Sequence, residues 1–310
     1  MSGSVDISRV AVLLSSYNGE RYIEEQIKSI FNQESIAVTL YVRDDGSSDS
    51  TVIILKKLTA IYPNMVLDLA HNIGFIRSFF NLLSNAPEGF DFYAFADQDD
   101  VWLPSKLSAG AGALKLPGQG MAGMYCSRTE YVDASLAHLS YSPLYRKEKI
   151  GFGNALVQNI ATGCTIVINP TARKLIVDKL PEKCLAHDWW IYLVVSAFGC
   201  VIFDGVPHIK YRQHGGNVIG ASSSFVKNSI NRTRRFFGSL RHNKTSLQVA
   251  EFNRIFKSTM TPAQIACVNK ILSAEQGVWS RFLLVFNDFY WRQSFIDNVL
   301  LRIVMLTGRF

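Results

Sequence analysis

Phe92-Tyr93-Ala94-Phe95-Ala96-Asp97-Gln98-Asp99-Asp100-Val101-Trp102 sets an unbroken apolar run directly before three carboxylates. Such a run reads as a strand buried on both faces, which puts the acids at its carboxyl end. Clustered anions repel one another unless a cation holds them, and hard oxygen ligands suit Mg²⁺ or Mn²⁺. The same residues also make a solvated acidic turn with a helix-capping Asp, so the rest of the chain has to decide.

Upstream, Val10-Ala11-Val12-Leu13-Leu14 is another continuous apolar run. Asn18-Gly19 then opens a helix whose Tyr22, Ile23, Ile27, Ile30 and Phe31 recur at helical spacing. Val38, Leu40 and Val42 alternate as a strand. Asp44-Asp45-Gly46-Ser47-Ser48-Asp49 follows as a turn, with N-caps for the helix that holds Val52, Ile53, Leu55 and Leu58. A third strand over 65–70 leads through Asn72-Ile73-Gly74 into a helix with Phe75, Phe79, Leu82 and Leu83. The acidic strand is the fourth. This alternation predicts an α/β fold, with a Rossmann-like, mostly parallel sheet flanked by helices. Ligands of such sheets bind at the carboxyl ends of strands. Ser15-Ser16-Tyr17, Asp44-Asp45 and Asp97-Gln98-Asp99 lie at such ends and are expected to line one crevice. From 110 to 123 regularity weakens and the composition reads as a flexible connection. Further strands are expected at 124–127, 165–168 and 201–203, and a helix at 192–197.

The 310 residues suffice for one large α/β domain with an appendage, or two modest domains. Hydrophobic content of 48% is ample for a core, and a net charge of +7 favours an anionic partner. Five cysteines without a CxxC pair argue against a disulfide scaffold or zinc site and for a reducing cytoplasm. The N-terminus lacks the segments of a signal peptide, and no stretch offers the ~20 apolar residues of a membrane span.

After Gly220 the composition changes. Residues 225–245 hold six Lys/Arg and no acid, interleaved with Phe225, Ile230, Phe236, Phe237 and Leu240. A boundary near 221 leaves 221–310 as a basic helical C-terminal region. The basic stretch fits an anionic membrane surface, and it fits equally a helix packed on the domain with a solvated basic face. The last segment, 295–306, is apolar but short and interrupted by Arg302, as in a docking or homodimer helix.

Five blocks stand in order along residues 10–220: Ser15-Ser16-Tyr17-Asn18-Gly19-Glu20, Asp44-Asp45-Gly46-Ser47-Ser48-Asp49, Asp97-Gln98-Asp99-Asp100, His187-Asp188-Trp189-Trp190, and Tyr211-Arg212-Gln213-His214-Gly215-Gly216-Asn217. Together they resemble the family 2 glycosyltransferases with the GT-A fold. Asp-Gln-Asp-Asp-Val-Trp, His-Asp-Trp-Trp and Tyr-Arg-Gln-His-Gly are most similar to the rhamnosyltransferase branch that builds bacterial surface polysaccharides. The resemblance implies a nucleotide-sugar half over 1–104 and an acceptor half over 105–220. It implies an inverting, metal-dependent enzyme that moves L-rhamnose from dTDP-rhamnose to a lipid-linked glycan. The enzyme would work in the cytoplasm or on the inner face of the membrane.

By the same resemblance, Asp99 is the direct ligand of Mg²⁺ or Mn²⁺, and Asp97 touches the ribose or the metal's water shell. His214 is a metal ligand or a donor to the diphosphate, the alternative being a loop histidine in a Gly-rich turn. Arg212 pairs with phosphate oxygens, which its fork suits. Asp45 accepts from the N3–H of uracil or thymine, an imide that adenine lacks; its alternative is to shape the turn. Tyr17 stacks on the pyrimidine, Ser15 lines the donor site, and Arg77 touches the nucleotide or is a solvated arginine. Asp188 removes the acceptor proton in a direct displacement that inverts the anomeric centre. Trp189 and Trp190 exclude water there, offer faces to a sugar, and raise the Asp188 pKa by burial. A helix N-cap with core tryptophans is the plainer alternative for that block. Thr162, Gly163 and Trp189 line the acceptor pocket.

A UDP-hexose donor is the alternative within this chemistry. A sugar nucleotidyltransferase needs a Gly-rich basic phosphate loop after the first strand, and Ser15-Ser16-Tyr17-Asn18 is not one. A nucleic-acid-binding module is disfavoured, because the basic residues gather in the tail while the strand-end clusters are acidic. A processive synthase would need membrane spans and a Gln-x-x-Arg-Trp motif, neither of which the sequence contains.

Overall fold

Residues 10–14 are fully buried in β1 (Ser8–Ser16), in a computed structural model that describes residues 7–115, 120–213, 245–274 and 277–307. In chain order α1 (Ile23–Phe31), β2 (Ile36–Asp44), α2 (Thr51–Ile61), β3 (Met65–Leu69), α3 (Phe75–Asn85) and β4 (Phe92–Ala96) follow. Next come β5 (Val101–Trp102), α4 (Lys106–Leu114), β6 (Ala122–Ser127), β7 (Glu130–Val132), β8 (His138–Tyr141) and α5 (Phe152–Ala155). A 3₁₀ turn (Gly163–Thr165) precedes β9 (Val167–Ile168), α6 (Pro170–Val177), α7 (His187–Phe198), β10 (Gly199–Asp204) and β11 (Ile209–Arg212). The described chain ends with α8 (Thr245–Phe256), α9 (Pro262–Ser273), α10 (Val278–Val285) and α11 (Phe295–Thr307).

Two compact units result. Of the described residues, the first takes 7–144, 161–178 and 199–213; the second takes 145–160, 179–198 and everything from 245 on. The first unit is built on a seven-stranded sheet in the order β10-β6-β9-β4-β1-β2-β3. All its strands are parallel except β9, which runs against β4 and β6. A small sheet, β5-β11-β7-β8, lies in the same unit. Side chains alternate across the large sheet. Val10, Val12, Leu14, Leu40, Val42 and Ala94 pack with Ile27 of α1, Leu55 of α2 and Leu107 of α4. On the other face Phe95 meets Phe79 of α3 with ring centroids 6.0 Å apart, and α3 packs against α6. Each fully buried Val, Leu or Ile contributes about 1.5–3 kcal/mol relative to exposure.

The flexible connection expected from 110 is a correction. α4 continues to Leu114, and Gly110 serves packing rather than flexibility. A Cβ there would lie 2.8 Å from Val167 Cγ2, so the helix approaches β9 at a distance that suits only glycine.

In the second unit, aromatic rings fill the core. Trp190 and Phe198 of α7 meet Phe252 and Phe256 of α8 at centroid distances of 5.2–6.4 Å. α9 opens on a capping box between Thr261 and Gln264. No described helix is long and apolar enough to cross a membrane.

Candidate functional site

Register brings the strand ends together. Ser16 pairs with Asp44, and Leu14 with Ala96, so residues 17, 45 and 97 leave the sheet at one edge. Asp44 ties the first two turns: its carboxylate accepts from Ser47 N–H at 2.8 Å and from Ser16 Oγ at 3.1 Å. Asn18, left-handed at φ 49°, donates its N–H to Ser47 Oγ and accepts from Ser48 N–H through Oδ1. Asp49 accepts from the N–H of Thr51, the first residue of α2, at 3.0 Å. Gln98 joins the third turn to the first. Its Oε1 accepts from Tyr17 N–H at 2.8 Å, and its Nε2 donates to the Tyr17 carbonyl at 3.0 Å. The half-exposed Tyr17 ring is thereby mounted on the acidic loop.

Ser15 and Asp45 share one network. Ser15 Oγ lies 2.7 Å from Ser78 Oγ on α3, and Arg43 donates to Ser78 at 3.2 Å and to Asp45 Oδ1. Ile73 N–H also donates to Oδ1, at 2.8 Å, and Gly74 N–H donates to Oδ2 at 2.9 Å. Gly74 precedes α3 with φ 82°, a conformation only glycine adopts without strain. A carboxylate has about four acceptor sites, so one remains on Oδ2, though Asp45 is only 2% exposed. Arg77 is exposed on the first turn of α3.

Of the acids after β4, Asp97 and Asp99 are half-buried and Asp100 is enclosed. Ligand atoms of Asp97, Asp100 and Cys164 lie within 4.8 Å of one another; Asp99 is not in that group. Asp100 accepts from Arg212 N–H at 3.2 Å, and its Oδ2 is buried without a hydrogen-bond partner. Burial, reinforced by the Asp99 and Asp97 charges, pushes the Asp100 carboxyl well above the usual carboxylate range. Burial likewise raises the Cys164 thiol. Crowded carboxylates at an open strand end, the partly open Asp97 and Asp99 beside the enclosed Asp100, offer the hard oxygen donors that suit a divalent cation.

Arg212 is a second correction. It does not reach for a phosphate: the side chain is buried, donating to the Asp99 carbonyl at 2.9 Å, the Ala134 carbonyl at 2.6 Å and Glu25 at 2.6 Å. Its guanidinium also stacks over the Tyr22 ring, 4.4 Å from the centroid. Arg212 therefore positions the acidic loop from behind. Arg212→Ala is expected to lower the urea-unfolding free energy by about 2–4 kcal/mol, with Arg212→Lys recovering part of it. An unchanged midpoint with lost nucleotide affinity would restore the phosphate role.

Beneath the same loop Lys106 is fully enclosed, with Nζ 3.5 Å from the Trp102 ring centroid and no hydrogen-bond partner. Burial lowers its pKa to about 7, whereas the unfolded chain keeps the proton to about 10.4. The unfolded state thus binds more protons between those values, and stability rises with pH across that window. The burial penalty is complete below about pH 7. Lys106→Met is expected to be more stable than the wild type in urea at mildly acidic pH, by an amount that shrinks as pH rises toward ~10. A gap independent of pH would trace to packing instead.

Thr162 and Gly163 open the 3₁₀ turn in the first unit, where the Thr162 carbonyl accepts from Thr165 N–H at 2.8 Å. Asp188 and Trp189 belong to the second unit. Asp188 is buried in the first turn of α7, inside the helix rather than before it, and accepts from Trp189 N–H at 2.6 Å. Trp189 Nε1 donates to the Ala155 carbonyl at 2.7 Å, and Trp190 is wholly core. His214 and all but the last residue of 225–245 lie outside the described residues. Sequence reasoning passed over Arg43 and Ser78, and placed Gln98 in the crevice without giving it a role. The signal for Arg43 was a cation in an alternating strand directly before two Asp.

A family model described as "Glycosyl transferase family 2" matches residues 11–172, more than half of the chain. The chain is 29% identical over 230 residues to "dTDP-rhamnosyl transferase RfbG" of Shigella flexneri, covering 68% of this chain and 75% of that protein. It is 25% identical over 250 residues to an "Uncharacterized glycosyltransferase" of Haemophilus influenzae, covering 73% and 71%. Among solved structures, S. aureus TarS 1-349 in complex with UDP-GlcNAc aligns over 97% of this chain and 91% of that one. Its TM-score is 0.55 at 13% identity, a likeness of fold alone. The family match runs from β1 into α6 and so contains the ends of β1, β2 and β4; the chain belongs to glycosyl transferase family 2 and has the GT-A fold.

Proposed function

We propose that this glycosyltransferase moves L-rhamnose from dTDP-rhamnose to a hydroxyl of a lipid-linked glycan, with inversion at the anomeric carbon. The observation that carries the donor sugar is the relation to RfbG, which extends over 75% of that protein. For the base, Asp45 keeps one acceptor site beside the N-terminus of α3, suited to a pyrimidine N3–H, and the Tyr17 ring offers a stacking face. Ser15 and Arg77 complete the donor side. Asp99 would hold Mg²⁺ or Mn²⁺, with Asp97 at the ribose or in the ion's water shell. Both are partly open, whereas Asp100, enclosed and bonded to Arg212 N–H, is out of a diphosphate's reach. When bound, the ion offsets negative charge that develops on the leaving diphosphate. Asp188 takes the proton of the attacking hydroxyl. Thr162 and Gly163 would line the acceptor side. The reaction would take place on the cytoplasmic side, in surface-polysaccharide assembly.

A UDP-hexose donor is the second reading, because uracil and thymine present the same imide to Asp45. Calorimetric titration with dTDP, UDP, GDP and ADP in the presence of Mg²⁺ tests the base. Both pyrimidine diphosphates are expected to bind roughly tenfold or more tightly than ADP, since a desolvated carboxylate without its partner costs about 1–3 kcal/mol. Equal or tighter binding of ADP would overturn the role of Asp45, and tighter binding of GDP would turn the preference from a pyrimidine to guanine. Transfer from UDP-glucose but not from dTDP-rhamnose would overturn the donor sugar alone.

A further inference from the structure

α10 and α11 each turn a complete apolar face to solvent. On α10 and its C-cap, Trp279, Phe282, Leu283 and Phe286 stand at i, i+3, i+4 and i+7, one side of a helix. Trp279 is 82% exposed, Leu283 71% and Phe286 70%. On α11, Phe295, Val299 and Ile303 share a stripe that begins with Phe295 at 81% exposure. The opposite sides are filled too: Leu284 of α10 and Leu301 of α11 are buried, and the two helices pack on each other. The inward faces are core. On the outward side of α10 the Trp279, Phe282 and Phe286 rings adjoin one another, with centroids 6.4 and 4.8 Å apart, an exposed apolar surface of the kind that marks an interaction site. None of these exposed residues is acidic, and in sequence they lie apart from the basic stretch at 225–245, for which a membrane surface and packing on the domain were equal expectations.

Charge decides what covers it. Before residue 220 the chain has nineteen Lys/Arg against twenty-one Asp/Glu, whereas the described residues from 245 on have six against three. The region that carries these helices is therefore net positive, while the rest of the described chain is not. A second copy would bring the same charge, because a two-fold interface sets equal patches face to face. An anionic bilayer instead attracts such a region and accepts Trp and Phe side chains in its interfacial layer. We propose that the outward face of α10 and α11 docks the protein on an anionic lipid surface, the helices lying in the plane of the interface. The docking is independent of which sugar is transferred.

Flotation of the full chain with vesicles tests this. The wild type is expected to rise with phosphatidylcholine vesicles containing phosphatidylglycerol, and far less with phosphatidylcholine alone. The double variant Trp279→Ser, Leu283→Ser is expected to lose most of that flotation while keeping its melting temperature, since both side chains are outside the core. Equal flotation of the variant would show that other residues make the contact and would overturn the proposal. A wild type that stays with the soluble fraction would overturn it as well. If that soluble wild type is a dimer by light scattering, and the variant a monomer, the cover is a second copy.

Discussion

Asp99→Asn is expected to lower transfer by about 10²–10⁴-fold, the effect of losing several kcal/mol of charge stabilisation on the departing diphosphate. Asparagine keeps the size of the side chain and removes its charge. The backbone carbonyl of residue 99, which Arg212 grips at 2.9 Å, is untouched, so the melting temperature should hold. Nucleotide diphosphate binding should lose its dependence on added Mg²⁺ or Mn²⁺. Asp100→Asn separates two arrangements of the same acids. Asp100 belongs to the close group with Asp97 and Cys164, yet it is enclosed and engaged by Arg212 N–H. Its substitution should therefore act on stability and leave metal-dependent nucleotide binding in place. The reverse pattern, with Asp99→Asn still metal-dependent and Asp100→Asn not, would move the ion to the inner group. Full activity of the wild type in excess EDTA would remove the ion from the reaction altogether.

Short-range pattern made the first half of the fold legible. Apolar runs at 10–14 and 92–96, the alternation at Val38, Leu40 and Val42, and the Asp-rich turn between them each report on a few neighbouring residues. Those are the β1, β2 and β4 ends that register aligns. What pattern did not convey depends on partners far along the chain. Arg212 meets Asp99 across 113 residues and Glu25 across 187, and nothing around Arg212 in sequence tells a phosphate ligand from a buried strut. Gly110 looked flexible because its packing partner, Val167, lies 57 positions away in a two-residue strand. The antiparallel direction of β9 was hidden for the same reason. Local composition also gave no warning that 145–160 and 179–198 join the C-terminal helices in one unit. Nothing near Lys106 in sequence marked it as buried; the Trp102 ring beneath its amine and the neighbouring Asp100 carboxyl are what receive it there.

Asp188→Asn is expected to remove transfer by about 10²–10⁴-fold while leaving nucleotide affinity nearly unchanged, because only the attacking hydroxyl needs the carboxylate. Local structure makes asparagine a clean probe. The side chain sits in the first turn of α7, where Oδ1 accepts from Trp189 N–H at 2.6 Å, and an amide oxygen can accept that same bond. The surroundings stay in place through contacts that do not involve residue 188: the Trp189 indole on the Ala155 carbonyl and the Trp190 ring among Phe252 and Phe256. What asparagine cannot do is take a proton. A carboxylate near a helix N-terminus is also worth about 0.3–1 kcal/mol through the helix dipole, so Asp188→Asn should cost no more than that in a urea melt. The two measurements separate the roles. A small stability loss with transfer largely intact would make Asp188 a helix-stabilising acid and leave the base to be sought elsewhere. A loss of transfer with an unchanged melt and unchanged nucleotide titration assigns the proton to this carboxylate.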